Sequence, residues 1–178
     1  MRRTWKADMM RFAVFVPAKD FKDESLNIVK LILTKSGISY DIASYSRACI
    51  GSHGAFCKAD VNPSDVVPAK YDGFVLIDGP GIDESAAYDY RPLLDTIMAM
   101  NSAGKHIISI GNAIKIPARA NIIKGKKIAV PDLDSKRFIV LFYGVPSAAG
   151  VEISGNLITA KNATSLELGA EPIMNVLG

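Results

Sequence analysis

The segment Gly73-Phe74-Val75-Leu76-Ile77, followed directly by Asp78-Gly79-Pro80-Gly81, decides the fold class of this 178-residue chain. Its first five residues are uniformly apolar, which is typical of a central parallel strand covered on both faces. The four residues that follow form a glycine-rich turn that exposes backbone N–H groups. A buried strand that ends in such a turn predicts an α/β sheet that binds its ligands at the carboxyl ends of the strands.

A strand followed by a helix is also predicted before this segment. Phe12–Val16 is a short apolar run ended by Pro17, which favours a first strand. Asp20 or Asp23 is placed to cap the next helix, and Gly37 is placed to end it. A strand followed by a helix is therefore predicted between Phe12 and Gly37.

The same alternation continues after the segment. His106–Ile110 is an apolar strand that ends at a tight Gly111-Asn112 junction, and Val151–Ala160 has the pattern of a hairpin. Thr164 with Glu167 predicts a capping box for the last helix. This β-α order predicts a mostly parallel sheet with helices on both faces.

Length and charge bound the possible functions. A chain of 178 residues with 49% hydrophobic and 22% charged residues is suited to one domain. Four basic residues and one acidic residue lie in the first eleven positions, so they hold the whole net charge of +3 and leave the body neutral. A neutral body argues against nucleic-acid binding, and no apolar run is long enough to cross a membrane. We predict a dispensable basic extension over residues 1–10 and a single domain over 11–178.

Cysteine and histidine are too few for a disulfide scaffold or a zinc pattern. The chain has two cysteines, Cys49 and Cys57, and two histidines. This usage favours a reducing cytoplasm. No metal and no cofactor is predicted.

Six stretches carry a resemblance to a known family. They occur in that family's order and span the chain from residue 11 nearly to its end: residues 11–17, 20–37, 71–77, 104–108, 118–127 and 155–159. The chain resembles the ThiJ/PfpI superfamily, whose fold is related to class I glutamine amidotransferase domains. The resemblance implies a flavodoxin-like three-layer sandwich, a cytoplasmic location and a homodimer or higher homo-oligomer. Relatives include intracellular proteases, glyoxalase-type enzymes and stress proteins.

The resemblance also places the family's catalytic positions on this chain. Its nucleophilic cysteine falls on Gly111, counted back from the Lys124-Gly125 landmark, and glycine has no side chain that can become a thiolate. A family glutamate that tunes the cysteine falls on Ser25, with Glu24 immediately before it. The chain is therefore predicted to be a non-catalytic relative, a pseudoenzyme.

A ligand site is still predicted at the strand ends. The glycine turn after the strand at Gly73–Ile77 and the N–H of Asn112 correspond to the donors that face an oxyanion in relatives. Donors without a nucleophile suit a small carbonyl or carboxylate ligand, held without catalytic residues. The predicted ligand-binding residues are Glu24, Ser25, Gly79, Gly81, Gly111 and Asn112.

Two alternatives stay open. In the first, the chain is an enzyme that uses displaced groups, either Glu24 as a base or Cys57 activated by His53. The Glu24 version requires a carboxyl within hydrogen-bond reach of the Gly111 turn, and the Cys57 version requires a thiol titrating well below its ordinary value of about 8.5. The second alternative is a structural subunit of a homo-oligomer, in which side chains fill the space beside Gly111.

Overall fold

The structure is a computed structural model that describes residues 10–177. Apart from Met10, the predicted extension over residues 1–10 lies outside the described residues. The strands are β1 (Arg11–Phe15), β2 (Lys19–Phe21), β3 (Ser39–Ala43), β4 (Ala48–Gly51), β5 (Phe56–Lys58), β6 (Gly73–Leu76), β7 (His106–Ile110), β8 (Lys127–Ala129), β9 (Val145–Ser147), β10 (Val151–Ser154) and β11 (Leu157–Ala160). The α-helices are α1 (Asp23–Lys35), α2 (Pro80–Glu84), α3 (Arg91–Ser102), α4 (Lys115–Arg119), α5 (Leu133–Leu141), α6 (Ala163–Leu168) and α7 (Ala170–Leu177).

A six-stranded sheet forms the centre of the molecule. Its strand order is β10-β11-β7-β6-β1-β3. All neighbours are parallel except β10, which returns antiparallel to β11. Val14 pairs with Val75, which pairs in turn with Ile108, so the apolar strands predicted from the sequence lie side by side. Because β1, β6 and β7 run in the same direction, their carboxyl ends meet at one edge.

Helices cover both faces of this sheet. One core packs α1, α6 and α7 on one face through residues such as Leu33, Leu166 and Ile173. The other core packs α3, α4 and α5 on the opposite face, with Ile97 and Ile139 among its fully buried side chains. This confirms the α/β sandwich with a mostly parallel sheet.

A small second sheet lies beside the central one. Its order is β2-β4-β5, with β4 parallel to β2 and antiparallel to β5. The chain between β1 and α1 therefore pairs with the β4–β5 hairpin, and this hairpin carries both cysteines.

Two predicted helix caps are wrong. Lys22, without a side-chain cap, precedes α1, and Asp23 is the first helical residue. The Asp23 carboxylate instead accepts the N–H of Ala55 at 3.0 Å, from the tip of the hairpin. At α6 the cap is Asn162, which accepts the N–H of Ser165 at 2.8 Å, so Thr164 lies inside the helix.

The helix that was predicted to end at Gly37 does so, because Gly37 adopts φ +70° directly after the C-cap residue Ser36. Among residues 10–177, no helix is long and apolar enough to span a membrane.

Candidate functional site

Gly111 lies at the sharp turn between β7 and the following helix. It has φ +53° and opens a short 3-10 helix over Gly111–Ile114 that continues into α4. A Cβ built on Gly111 would lie 2.9 Å from the Cβ of Asp78 and closer still to its Oδ2. The space that a side chain at this position needs is therefore filled by Asp78.

Asp78 directly follows Ile77 at the end of β6, and its side chain is 2% exposed. Its Oδ1 accepts the Ser25 hydroxyl at 2.5 Å, and the Lys22 ammonium lies 3.5 Å from its Oδ2. A backbone hydrogen bond also links Lys22 to Asp78, because the N–H of Lys22 donates to the Asp78 carbonyl at 2.8 Å. A buried carboxylate needs such a cation and hydrogen-bond donor to offset its lost hydration. The start of α1 thus holds Asp78 against Gly111.

The glycine turn after β6 is packed rather than open. Gly79 has φ +148°, and a Cβ there would lie 2.8 Å from the backbone nitrogen of Lys22. A Cβ on Gly81 would overlap the carbonyl of Lys19 and lie 3.1 Å from the Pro17 side chain. Both glycines therefore allow the turn to approach the backbone around β2, a role that the sequence analysis did not assign to them.

The Asn112 side chain closes this turn. Its Oδ1 accepts the N–H of Gly79 at 3.0 Å, and its Nδ2 donates to the Gly79 carbonyl at 2.8 Å. The Gly79 N–H, expected to face a ligand, is thus already paired with an amide of the neighbouring strand end.

A buried lysine supports the turn from behind. Nδ2 of Asn112 also donates to Asp83 at 3.2 Å, and Lys115 bonds to Asp83 and Asp134 at 2.5 Å each. Burial tends to lower the pKa of Lys115, but its hydrogen bonds to Asp134 and Asp83 raise it above the ordinary value. Lys115 therefore stays protonated and ties α2, α4 and α5 together beside the strand ends.

An open cavity of about 390 Å³ lies in front of these groups. Its residues come from the loops and helix starts that follow the strands: Lys22, Asp78, Gly79, Pro80, Gly111, Asn112, Pro131, Asp132, Lys161 and Asn162. The N-termini of α1 and α5 meet here, with Lys22 and Asp132 as their cap residues. Helix N-termini carry partial positive charge and favour anionic ligands.

The charges of the cavity are mixed. The exposed lysines Lys22 and Lys161 contribute two ammonium groups. Of the two carboxylates, Asp78 is paired with Lys22, while Asp132 accepts the N–H of Ser135 at 2.7 Å as the cap of α5. Lys161 has no such acidic partner among the ion pairs of residues 10–177, and it is the cation best placed to meet a ligand.

The six predicted ligand residues divide into three groups. Gly79, Gly111 and Asn112 line the cavity. Ser25 is fully buried behind it and contacts the site through Asp78. Glu24 is exposed on the first turn of α1 and Gly81 packs against β2, so neither is among the lining residues.

The displaced thiol does not have the environment that the alternative requires. Cys57 faces Cys49 across the β4–β5 hairpin, and hydrogen bonding with Cys49 together with burial raises the pKa of the Cys57 thiol. His53 is exposed at the hairpin tip, where its backbone N–H donates to Asp23 at 3.3 Å. A raised pKa is the opposite of activation.

Several cavity residues were missed by the sequence analysis: Lys22, Pro131, Asp132, Lys161 and Asn162. The signal that would have found some of them is their position just before a helix. Asp132 and Asn162 are N-caps, and polar N-caps after parallel strands gather at the carboxyl edge of the sheet. Within residues 10–177, no group of three or more histidine, cysteine or acidic side chains is arranged to hold a metal ion.

Residues 10–175 match the family model described as the DJ-1/PfpI family. No curated protein sequence is significantly similar to the chain.

Solved structures share the fold. The ThiJ/PfpI domain protein from Brachyspira murdochii is 20% identical, with 96% of each chain covered and a TM-score of 0.85. Drosophila melanogaster DJ-1beta is 23% identical, with 94% of this chain and 90% of that chain covered and a TM-score of 0.80. A mutant of a DJ-1 superfamily protein from Salmonella typhimurium is 22% identical, with 95% of this chain and 90% of that chain covered and a TM-score of 0.79. At these identities the likeness establishes the flavodoxin-like fold alone.

Proposed function

The chain belongs to the DJ-1/PfpI family, and we propose that it is a member that binds a small carboxylate or carbonyl compound without thiol catalysis. The observation that carries this proposal is the position of Asp78. Its carboxyl fills the space beside Gly111, where a nucleophilic side chain would have to lie, as the structural-subunit alternative also expects, but an open cavity remains in front of the turn and favours ligand binding. A carboxylate held by Ser25 and Lys22 leaves no room for a thiol at this turn.

The chemistry of the cavity supports the choice of ligand. Lys161 offers an ammonium group at its rim, and the N-termini of α1 and α5 add partial positive charge. A volume of about 390 Å³ accommodates a compound of a few heavy atoms together with water. Because Lys22 offsets the charge of Asp78, an anionic ligand meets less repulsion than the buried acid alone would cause.

Pyruvate is a suitable probe because it carries both a carboxylate and a carbonyl. We expect its addition to shift the backbone amide resonances of Gly79, Gly111 and Asn112 in an ¹H–¹⁵N NMR titration. Lys161→Gln should weaken this binding about tenfold, since a hydrogen bond to a charged group contributes about 1.5–3 kcal/mol. Lys70→Gln is the matched control, because Lys70 is exposed and precedes β6 at the opposite end of that strand. Equal weakening by the two variants contradicts the proposed site.

Turnover assays separate binding from catalysis. Methylglyoxal resembles pyruvate but carries an aldehyde in place of the carboxylate, and we expect the chain to convert neither compound above the uncatalysed rate. The rival enzyme would have Asp78 as its base, because this carboxylate lines the cavity at the turn. Turnover that disappears on Asp78→Asn overturns the proposal in favour of that enzyme, and turnover that disappears on Glu24→Gln or Cys57→Ser overturns it in favour of the displaced groups.

A homodimer in the cytoplasm is part of the same proposal. The exposed apolar side chains of α5, Leu133, Val140 and Leu141, support it as a contact between copies. The free thiols of Cys49 and Cys57 agree with a reducing compartment. Light scattering after size-exclusion chromatography should give twice the chain mass, and Leu141→Glu should return it to the single chain mass. A monomeric mass for the native chain contradicts this part.

A further inference from the structure

The two cysteines of the chain face each other on one hairpin. Cys49 on β4 and Cys57 on β5 are direct cross-strand partners in an antiparallel pair. Burial alternates along both strands, and the two cysteines lie on the buried side, with exposures of 0% and 7%. The chain has no other cysteine, so each thiol has the other as its neighbour.

The backbone hydrogen bonds of the hairpin show that Cys49 and Cys57 form a hydrogen-bonded pair of the antiparallel ladder. The N–H of Gly51 donates to the Ala55 carbonyl at 2.8 Å, and the N–H of Ala59 donates to the Arg47 carbonyl at 2.8 Å. Hydrogen-bonded rungs alternate along an antiparallel ladder, so the rung between these two, Cys49 opposite Cys57, is also hydrogen-bonded. Such partners have Cα atoms about 5.5 Å apart, inside the range of about 4.4–6.8 Å that a disulfide spans.

We propose that Cys49 and Cys57 form a redox-active dithiol that a small hydroperoxide oxidises to a cross-strand disulfide. The Cys49 thiolate attacks the terminal oxygen of the O–O bond, which breaks to give a Cys49 sulfenic acid and, after protonation of the leaving oxygen, an alcohol, or water when the oxidant is hydrogen peroxide. The Cys57 thiol then attacks this sulfur, the S–O bond breaks, and its proton leaves with the hydroxide as water. The two sulfurs together lose two electrons, which reduce the peroxide, and a dithiol reductant restores both thiols.

The environment of Cys49 assigns it the first step. Hydrogen bonding from Cys57 lowers the pKa of the Cys49 thiol to about 7, against the opposing effect of burial. The same bond and burial raise the pKa of Cys57. The lowered pKa of Cys49 favours its thiolate as the first nucleophile, and the cross-strand register places Cys57 opposite it for the second step.

A second cavity lies beside the backbone segment that contacts Cys49, and local opening there would expose the sulfur to a small oxidant. This cavity measures about 290 Å³ and is lined in part by Ser44, Ser46 and Arg47. The Cys49 sulfur lies 3.4 Å from the Ser46 carbonyl, directly behind this lining. Since Cys49 itself is fully buried, the oxidant has to be as small as a hydroperoxide, and a bulky disulfide reagent is excluded.

Mass spectrometry of the full chain tests the proposal. Arg47 precedes the hairpin and Lys58 ends it, so trypsin releases both cysteines in the single peptide Ala48–Lys58. After hydrogen peroxide and then N-ethylmaleimide, this peptide should lack two hydrogen atoms and carry no maleimide. Dithiothreitol before the maleimide should restore two labelled thiols.

Single variants test the order of the steps. In Cys57→Ser, peroxide should leave a sulfenic acid at Cys49 that dimedone traps. In Cys49→Ser, oxidation of Cys57 should be about tenfold slower or more, because burial still raises the pKa of Cys57 after the Cys49 thiol is gone. Circular dichroism spectra matching the native chain show that both variants fold.

Three results overturn the proposal. The first is full maleimide labelling of both native cysteines after a peroxide dose that oxidises glutathione. The second is a disulfide between two chains on a non-reducing gel in place of the internal one. The third is a sulfinic acid at either residue of the native chain, which means that the partner thiol does not reach the sulfenic acid in time.

Discussion

The sequence resemblance expects a reactive thiol and a sharp turn facing a cavity at one place. In this chain the turn lies at Gly111 and the thiols lie on the β4–β5 hairpin. At the turn, the backbone has positive φ and a cavity in front of it, but its neighbour is the carboxyl of Asp78. At the hairpin, two thiols face each other and one has a lowered pKa, but both are buried. The turn faces an open cavity but has no sulfur, whereas the two sulfurs of the hairpin are buried.

The reactive residue type and the open turn geometry thus occur at two different places in this fold. Cys49 and Cys57 lie on the β2-β4-β5 sheet, and neither lines the cavity at the carboxyl ends of β6 and β7. Gly111 has the positive φ of a sharp turn, and the group next to it is the carboxyl of Asp78. We therefore assign ligand binding to the turn and redox chemistry to the hairpin.

The largest expected effect comes from placing a thiol at the turn. Gly111→Cys combined with Asp78→Gly, in a background of Cys49→Ser and Cys57→Ser, should create a thiol beside the open cavity. An exposed thiol near a helix N-terminus reacts readily, while a buried one waits for local opening. We expect iodoacetamide to label the new thiol about a hundredfold faster than the native cysteines.

The matched control for this labelling keeps Asp78. Gly111→Cys alone in the same cysteine-free background should give little folded protein, because the new side chain overlaps the Asp78 carboxyl. Rapid labelling of a well-folded Gly111→Cys protein that retains Asp78 would show that Asp78 does not keep a thiol out of the turn.

An intermediate effect is expected on the titration of Cys49. Thiolate absorbance near 240 nm should rise with a midpoint close to pH 7 in the native chain, as its pKa is lowered to about 7. Cys57→Ala removes the hydrogen bond and should move the pKa of Cys49 toward about 8.5. The folded-state pKa of Cys49 lies below the ordinary value of about 8.5, so the thiolate stabilises the fold fully above about pH 8.5. This stabilisation is lost as the pH falls through about 7. An unchanged midpoint in Cys57→Ala contradicts the paired hairpin.

The smallest expected effects distinguish two adjacent residues of α1. Ser25→Ala removes the buried donor to Asp78 and should lower the free energy of unfolding by about 1–3 kcal/mol. Glu24→Gln changes an exposed side chain and should alter it by less than about 0.5 kcal/mol. Urea denaturation measures both, and an equal loss would mean that the start of α1 does not hold Asp78 through Ser25.

The strands were predictable from sequence because buried parallel strands are continuous apolar runs. His106–Ile110 has the predicted bounds, and the Gly111-Asn112 junction follows it directly. Helix caps were less predictable, since Asp23 has the right type for a cap but bonds to the hairpin. Local patterns do not contain such contacts between distant segments.

The contents of the site depended on two facts that sequence patterns do not carry. One is the direction of the Asp78 side chain, which is set by Ser25 and Lys22 from another element. The other is the register of the hairpin, which decides whether Cys49 faces Cys57 or its neighbour, since a slip of one residue moves a side chain to the other face.

A double-mutant cycle between Gly111 and Asp78, measured by urea denaturation, tests whether the Asp78 side chain fills the space beside Gly111. Gly111→Ala should cost about 1–2 kcal/mol for its left-handed backbone and about 1–3 kcal/mol more for overlap with Asp78. In the Asp78→Gly background only the backbone cost should remain, whereas Asp78→Asn, which keeps the shape, should preserve the full cost. A cost that is the same in all three backgrounds would show that the Asp78 side chain does not occupy the space beside Gly111.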